Sequence, residues 1–218
     1  MSHIVGIRPY TRAEYISDAI VHASGIAATL IGGPILIAMA ALWIGEAGVV
    51  TAISVYFATG LAMWSASAAY NLIQRPAWVD RLRRMDQSAI YLKIAGTYTP
   101  FAALAAGQTG FLAGIWTVAA LGAALILFTS RFGWLAIPLY LGLGWAGAVW
   151  GGPLVSGLSP LGFWLLVAGG LIYSSGIAFL LWERLPFHNT IWHVFVLLGS
   201  LACYAAIAAE LWERSHIV

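Results

Sequence analysis

The sequence predicts an all-α integral membrane protein, built as a bundle of seven transmembrane helices. Of its 218 residues, 61% are hydrophobic and only 8% are charged, whereas a soluble domain carries roughly 25% charged residues. A membrane-crossing helix needs about 20 apolar residues, and this chain has long stretches without any Asp, Glu, Lys or Arg. These stretches are 19–45, 47–74, 94–130, 132–182 and 185–209.

Two of the uncharged stretches are too long for one crossing, and both contain loop signals. Residues 94–130 include Gly107 and Gly110 in a short polar break, and residues 132–182 include a Gly-Gly-Pro sequence at 151–153. Since neither an internal repeat nor a long linker divides the chain, we interpret residues 1–218 as a single membrane domain. The predicted helices are about 19–44, 49–73, 87–106, 110–129, 133–150, 161–182 and 190–211.

The basic residues predict the orientation of the bundle. Eight of the ten Lys and Arg residues fall in the N-terminal tail and in the loops after the second, fourth and sixth predicted helices. Loops rich in Lys and Arg stay in the cytoplasm, so we expect a cytoplasmic N-terminus and a C-terminus outside the cytoplasm. The formal charge of +2 is small and dispersed, which argues against nucleic acid as a partner.

The first helix carries a stripe of ionisable residues. Thr11 and Glu14 fit a capping box, in which each side chain satisfies a backbone donor of the other residue. Glu14, Asp18 and His22 follow at intervals of four and share one helix face. The stripe fits an amphipathic entry segment in contact with water, or a polar face inside the bundle. The second interpretation is favoured for His22, because ionisable groups at membrane depth usually face the bundle interior.

The second and third helices each have polar residues near one end. Ser67 and Asn71 are four residues apart, a spacing that suits either helix packing by hydrogen bonds or a functional site. Asp86, at the start of the predicted third helix, suits either an N-terminal cap or a functional carboxylate. Lys93 lies seven residues later, and we expect its side chain to extend back toward Asp86 and the cytoplasm.

The last helix begins with a second group of polar residues. Asn189 and His193 are four residues apart on one face, and His188 fits either a water-exposed residue or a metal ligand. In the predicted topology, all of these polar residues lie at cytoplasmic helix ends. The pattern therefore predicts one polar cavity that opens toward the cytoplasm.

Four of these stretches resemble motifs of the hemolysin III family, the bacterial branch of the adiponectin and progestin receptor (PAQR) superfamily. The matching residues are 14–25, 67–72, 86–101 and 189–197. The resemblance implies seven helices, a cytoplasmic N-terminus and a location in the bacterial inner membrane.

The resemblance also implies a possible zinc site, because better-studied members of the superfamily resemble alkaline ceramidases. Their zinc is held by a His that closes the second-helix motif and by two His four residues apart in the seventh helix. The corresponding residues here are Asn71, Asn189 and His193, and Asn is a poor zinc ligand. A substitute site would draw on His193, His22, His188 and Asp86.

The sequence leaves three functions open. The first is a protein that senses or tunes the state of membrane lipids, by binding a lipid or a fatty acid between its helices. This function tolerates the two Asn substitutions. The polar cavity that it uses would consist of Glu14, Asp18, His22, Asn71, Lys93 and Asn189.

The second function is a zinc-dependent hydrolase that cleaves an amide or ester bond in a lipid. In that enzyme Asp86 would orient or deprotonate a zinc-bound water, and Ser67 or Tyr70 would stabilise the developing oxyanion. The third is a pore-forming hemolysin or a narrow proton path, although the spans carry too few charges to line a wide aqueous channel.

Overall fold

The described part of the chain is built from helices. The computed structural model describes residues 10–73, 75–105, 108–129 and 135–216, and in these ranges every regular element is helical. The first helix continues as a π-helical segment over Ala40–Ile44. The α-helices are α1 (Arg12–Met39), α2 (Ala47–Leu72), α3 (Val79–Leu104), α4 (Thr109–Phe128), α5 (Ala136–Gly144), α6 (Ala146–Trp150), α7 (Gly152–Ser156), α8 (Pro160–Leu181) and α9 (His188–Ser215).

Within the described ranges, five helical segments are long and apolar enough to cross a membrane. They are Arg12–Ile44, Ala47–Leu72, Thr109–Phe128, Pro160–Leu181 and His188–Ser215. The predicted class, an all-α membrane protein, is therefore confirmed. The count of seven spans and the orientation of the termini stay predictions.

Several helices extend beyond the predicted apolar spans. α3 begins at Val79, well before residue 87, so Asp86 lies inside the helix and does not cap its N-terminus. The added turns carry charged residues, among them an exposed Arg83–Asp80 ion pair with an N–O distance of 3.1 Å. Such i,i+3 pairs support a helix in water. Hydrophobicity therefore marks the apolar part of a helix and not its ends.

The predicted fifth span, 133–150, is divided at Trp145. The Tyr98 hydroxyl donates to the carbonyl oxygen of Gly144 at 2.7 Å and accepts from the Gly147 N–H at 2.9 Å. A side chain from α3 thus satisfies backbone groups on both sides of the break. These groups therefore do not require the hydrogen bonds of a continuous helix. The start of this span, like Ala106 and Gly107 of the predicted loop, lies outside the described residues.

Small residues allow the helices to approach closely. A Cβ atom on Gly25 would lie 2.4 Å from the Trp64 ring, and one on Gly33 would lie 2.1 Å from the Phe57 ring. These contacts hold α1 against α2. Close approach at small residues is typical of helix packing in lipid, where burial of apolar surface between helices supplies little driving force.

The end of the bundle opposite the predicted cavity has a polar contact of its own. Glu210 is 2% exposed, and its Oε1 atom accepts from the Ser159 N–H at 2.8 Å and from the Ser159 hydroxyl at 2.7 Å. Ser159 in turn caps α8 through the Gly162 N–H. This contact ties α9 to the start of α8.

We predict that Gly96→Ala separates α2 from α3. The new Cβ would lie 2.0 Å from the Thr59 Oγ1 atom and 2.9 Å from its Cβ, so backbone must shift, at a cost of about 1–3 kcal/mol. The apparent melting temperature in detergent, followed by fluorescence size-exclusion chromatography, should fall by several degrees. Gly114→Ala is the control, since its Cβ would meet no atom within 4 Å. Equal melting temperatures of the two variants would contradict the packing described.

Candidate functional site: a buried polar cluster

A buried polar cluster forms where the N-terminal part of α1, the C-terminal end of α2 and the start of α9 meet. Asp18, His22, Ser67 and His193 are each at most 4% exposed. They come from three helices that are distant in the sequence. The cluster is therefore a product of the tertiary structure, although each residue had been predicted to line a polar cavity or a functional site.

Glu14 joins the start of α1 to the start of α9. It forms the predicted capping box with Thr11, whose backbone N–H donates to the Glu14 Oε2 atom at 2.9 Å. The other carboxylate oxygen accepts from the Phe187 N–H at 2.9 Å. Phe187 has a left-handed backbone with φ of 60°, a conformation that is uncommon for residues other than Gly. A fully buried carboxylate thus fixes the strained residue that precedes α9.

Asp18 is the acceptor on which α9 is anchored. Its Oδ2 atom accepts from the Asn189 side-chain amide at 2.8 Å, and its Oδ1 atom accepts from the Thr190 hydroxyl. The same Asn189 amide nitrogen donates to the Asn71 Oδ1 atom at 2.9 Å. Asn71 in turn donates to the Ser67 carbonyl oxygen at 2.9 Å. The two Asn side chains therefore link α1, α2 and α9 in one continuous hydrogen-bond network.

Two imidazoles converge on the Ser67 hydroxyl. The Nε2 atoms of His22 and of His193 each lie 3.1 Å from Ser67 Oγ. Each Nδ1 atom lies near a backbone carbonyl, at 2.6 Å in His22 and 2.9 Å in His193. Because a carbonyl only accepts, each Nδ1 carries a proton, and each Nε2 of a neutral ring is an acceptor. The Nε2 atoms of His22 and His193 are thus two acceptors for the single proton of the Ser67 hydroxyl.

The remaining candidate residues lie around this centre. Asp86 approaches the Ser67 side chain closely enough for a hydrogen bond, and Tyr70 lies within electrostatic range of Asp86. His188 is the first residue of α9, and among the described residues its buried Nδ1 atom has no hydrogen-bond partner. The fold therefore brings two of the candidate catalytic residues, Ser67 and Asp86, together.

These residues do not fit the zinc centre that the family resemblance implies. The Asn71 Oδ1 atom, through which Asn71 would bind a metal ion, accepts from the Asn189 amide nitrogen at 2.9 Å, so positions 71 and 189 bond to each other and do not present a free pair of ligand atoms. Asn is also a poor ligand for zinc. In the part of the chain that the structure describes, no group of three His, Cys, Asp or Glu residues is arranged to hold a metal ion.

Lys93 lies apart from the polar cluster. Its ammonium donates to the Thr97 hydroxyl at 3.2 Å and lies 3.9 Å from the centre of the Tyr56 ring. The expectation that this side chain extends back toward Asp86 is wrong. Thr97 is one turn further along α3, and its hydroxyl supplies an oxygen that the Lys93 ammonium can reach.

Lys93 instead lines a pocket between α1, α2 and α9, which we call the Lys93 pocket. Trp64 forms the wall between this pocket and the polar cluster, since its ring packs edge-on against His22 at 5.9 Å. Sequence reasoning missed Trp64, Phe187 and Thr190. Of these three residues, only Thr190 could have been suspected from the sequence, because it is adjacent to Asn189. The residues that define the pocket here are Gly25, Gly33, Tyr56, Trp64, Lys93 and Leu201.

The fold and the cluster define a helical membrane protein with a buried polar centre at its helix ends, and the comparisons with known proteins agree. The chain matches the family model described as haemolysin-III related over residues 12–204. It is 37% identical over 202 residues to the hemolysin-3 homolog of Bacillus subtilis (strain 168), covering 91% of this chain and 94% of the relative. It is 40% identical over 199 residues to hemolysin-3 of Bacillus cereus, covering 89% and 90%.

A shorter similarity extends to animals. Over 136 residues the chain is 31% identical to the monocyte to macrophage differentiation factor of Homo sapiens, covering 59% of this chain and 55% of that protein. The family model, the two bacterial relatives and this similarity together assign the chain to a family. The chain belongs to the haemolysin-III-related family, as its motifs had indicated.

We predict that Asp18→Ala destabilises the contact between α1 and α9. It leaves the Asn189 amide and the Thr190 hydroxyl without their acceptor, which should cost about 2–4 kcal/mol. The apparent melting temperature in detergent measures the effect. Asp80→Ala is the matched control, because the Asp80 side chain is 74% exposed and a surface ion pair contributes at most about 1 kcal/mol. A loss no larger than that of the control would show that the network is not a structural anchor.

Proposed function

We propose that this protein is a non-catalytic member of its family, which senses or tunes the lipid state of the bacterial inner membrane through the polar cluster. The observation that carries the proposal is the bond between Asn189 and Asn71, at two positions where the family resemblance implies zinc ligands. With Asp18 these amides form a network that is satisfied without a cation. Such a centre serves to couple helices and does not supply a metal-bound water.

The coupling gives a physical route from lipid state to protein conformation. The cluster joins the ends of three helices, and it is buried, so its hydrogen bonds are strong as long as water is excluded. A thinner or looser bilayer lets water and headgroups reach the helix ends, and it changes the preferred helix tilt. Both effects weaken the network. The relative positions of α1, α2 and α9 would therefore depend on the surrounding lipid.

A hydrolase is the second candidate, and one observation favours it. The Ser67 hydroxyl is placed between two imidazole acceptors and close to Asp86, an arrangement of ionisable groups of the kind that enzymes use. The hydroxyl is only 2% exposed, and the residues around it do not form the implied metal centre. We therefore rank this candidate second.

A pore is supported by the name of the Bacillus relatives, hemolysin-3, and by little else. In the described ranges, the buried Asp, Glu and His residues lie toward the two ends of the bundle, with Lys93 between them. The interior is otherwise apolar, and helices pack around glycines. This arrangement favours a closed bundle over a water-filled channel.

Metal content is the first test of the proposal. We expect wild-type protein, purified without chelator and supplied with zinc, to hold well under one zinc per chain by mass spectrometry. The double variant Asn71→His/Asn189→His should gain about one zinc, because it restores imidazoles at the two positions beside His193. One zinc per chain in the wild type, lost in His193→Ala, would contradict the proposal and favour the hydrolase.

Membrane order is the second test. In cells that lack the protein, wild type should shift the order reported by a polarity-sensitive membrane dye, or the acyl-chain composition measured by lipid mass spectrometry. Asp18→Ala should lose this effect, whereas Asp80→Ala should retain it. Release of product from a labelled ceramide or ester by purified wild type, abolished in Asp86→Ala, would instead establish an enzyme.

A further inference from the structure

Lys93 is a buried cation without an anionic partner. It is 6% exposed, and its two polar contacts, the Thr97 hydroxyl and the Tyr56 ring, are both neutral. Among the described residues the only ion pair is between Arg83 and Asp80, at the surface. Two other titratable groups, the Cys203 thiol and the Tyr204 hydroxyl, lie near it or line the same pocket, and both are neutral in their ordinary protonated forms. An ammonium at this depth is costly unless an anion compensates it.

The Lys93 pocket supplies space for such an anion and a way in from the side. Gly60 of α2 lines it beside Lys93, since a Cβ atom there would lie 3.8 Å from the Lys93 Cε atom, whereas the space at Gly25 and Gly33 of α1 is taken by the Trp64 and Phe57 rings. Leu201 of α9 also lines the pocket, and it is 46% exposed on the surface of the bundle. The pocket therefore connects the ammonium to the surface that faces lipid.

We propose that the Lys93 pocket binds the carboxylate of a fatty acid, with the acyl chain leaving between α1 and α9 past Leu201. The carboxylate is paired with the Lys93 ammonium, and the apolar and aromatic walls hold the first methylenes. The proposal extends the proposed function by naming a ligand. It does not depend on the polar cluster, from which Trp64 separates the pocket.

The depth of Lys93 selects a fatty acid over a phospholipid headgroup. Lys93 is seven residues along α3 from Asp86, which corresponds to about 10 Å along the helix axis. A bulky phosphodiester group stays near the membrane surface, whereas the small headgroup of a single-chain acid can enter a narrow pocket below it. Both ligands would pair an anionic oxygen with the ammonium, so the experiment includes both.

The test is binding of radiolabelled oleate to the full chain in nanodiscs of phosphatidylcholine. We expect saturable binding to wild type and a dissociation constant at least tenfold higher for Lys93→Met. Arg184→Met, which removes an exposed cation outside the pocket, should change binding less than twofold. Methyl oleate and oleyl alcohol, which lack the charge, should compete at least tenfold more weakly than oleate.

Several outcomes would overturn the proposal: no saturable binding to wild type, equal binding to Lys93→Met, or equal competition by methyl oleate. Competition by phosphatidic acid that exceeds that of oleate would assign the pocket to a phospholipid instead. If Lys93→Met does not fold, cross-linking of wild type with a diazirine-bearing fatty acid replaces it, and labels outside α1, α2 and α9 would overturn the proposal. The membrane-order experiment on the proposed function and this binding experiment are independent. Failure of the proposed function can therefore be distinguished from failure of the fatty-acid proposal.

Discussion

The structure depends on one constraint: the carboxylates buried among these apolar helices must find hydrogen-bond donors inside the protein. Asp18 shows how the constraint is met, because its two oxygens accept from Asn189 and Thr190 and so bring α9 against α1. Glu14 does the same for the backbone at Phe187. In a low-dielectric interior an unmet hydrogen bond costs about 1–3 kcal/mol, roughly twice the net gain of a satisfied one. The hydrogen bonds to the Asp18 and Glu14 carboxylates therefore fix the positions of the helix ends.

The same constraint explains the role of Asn71 and Asn189, which occupy two positions where the family resemblance implies His. Three neutral imidazoles that direct lone pairs at one point need a cation between them. An amide carries both a donor and an acceptor, so Asn189 and Asn71 satisfy each other and use Asp18 as the terminal acceptor. What remains is His22 and His193, which share the Ser67 hydroxyl. This pair is the part of the centre that retains the capacity for proton chemistry.

Packing by small residues keeps the two polar regions separate. Trp64 lies against Gly25 and against the His22 ring, and its opposite side lines the Lys93 pocket. Because Gly25 has no side chain, the indole can occupy the space between the helices. The polar cluster and the buried ammonium are thus neighbours without a described hydrogen bond between them. One region joins the ends of α1, α2 and α9 by hydrogen bonds, and the other surrounds the Lys93 ammonium.

The class and the family could be predicted from the sequence alone, and so could most residues of the polar cluster, but not Phe187 or Thr190. Uncharged stretches of membrane length and i,i+4 polar pairs follow from local chemistry, and so does the Thr11–Glu14 capping box. Tertiary structure decided what those residues do. The break at Trp145 depends on the Tyr98 hydroxyl of α3, and the direction of Lys93 depends on the Tyr56 ring of α2 as well as on Thr97 of its own helix. Periodicity places a residue on a helix face, but only the packed bundle determines which hydrogen-bond partner that face meets.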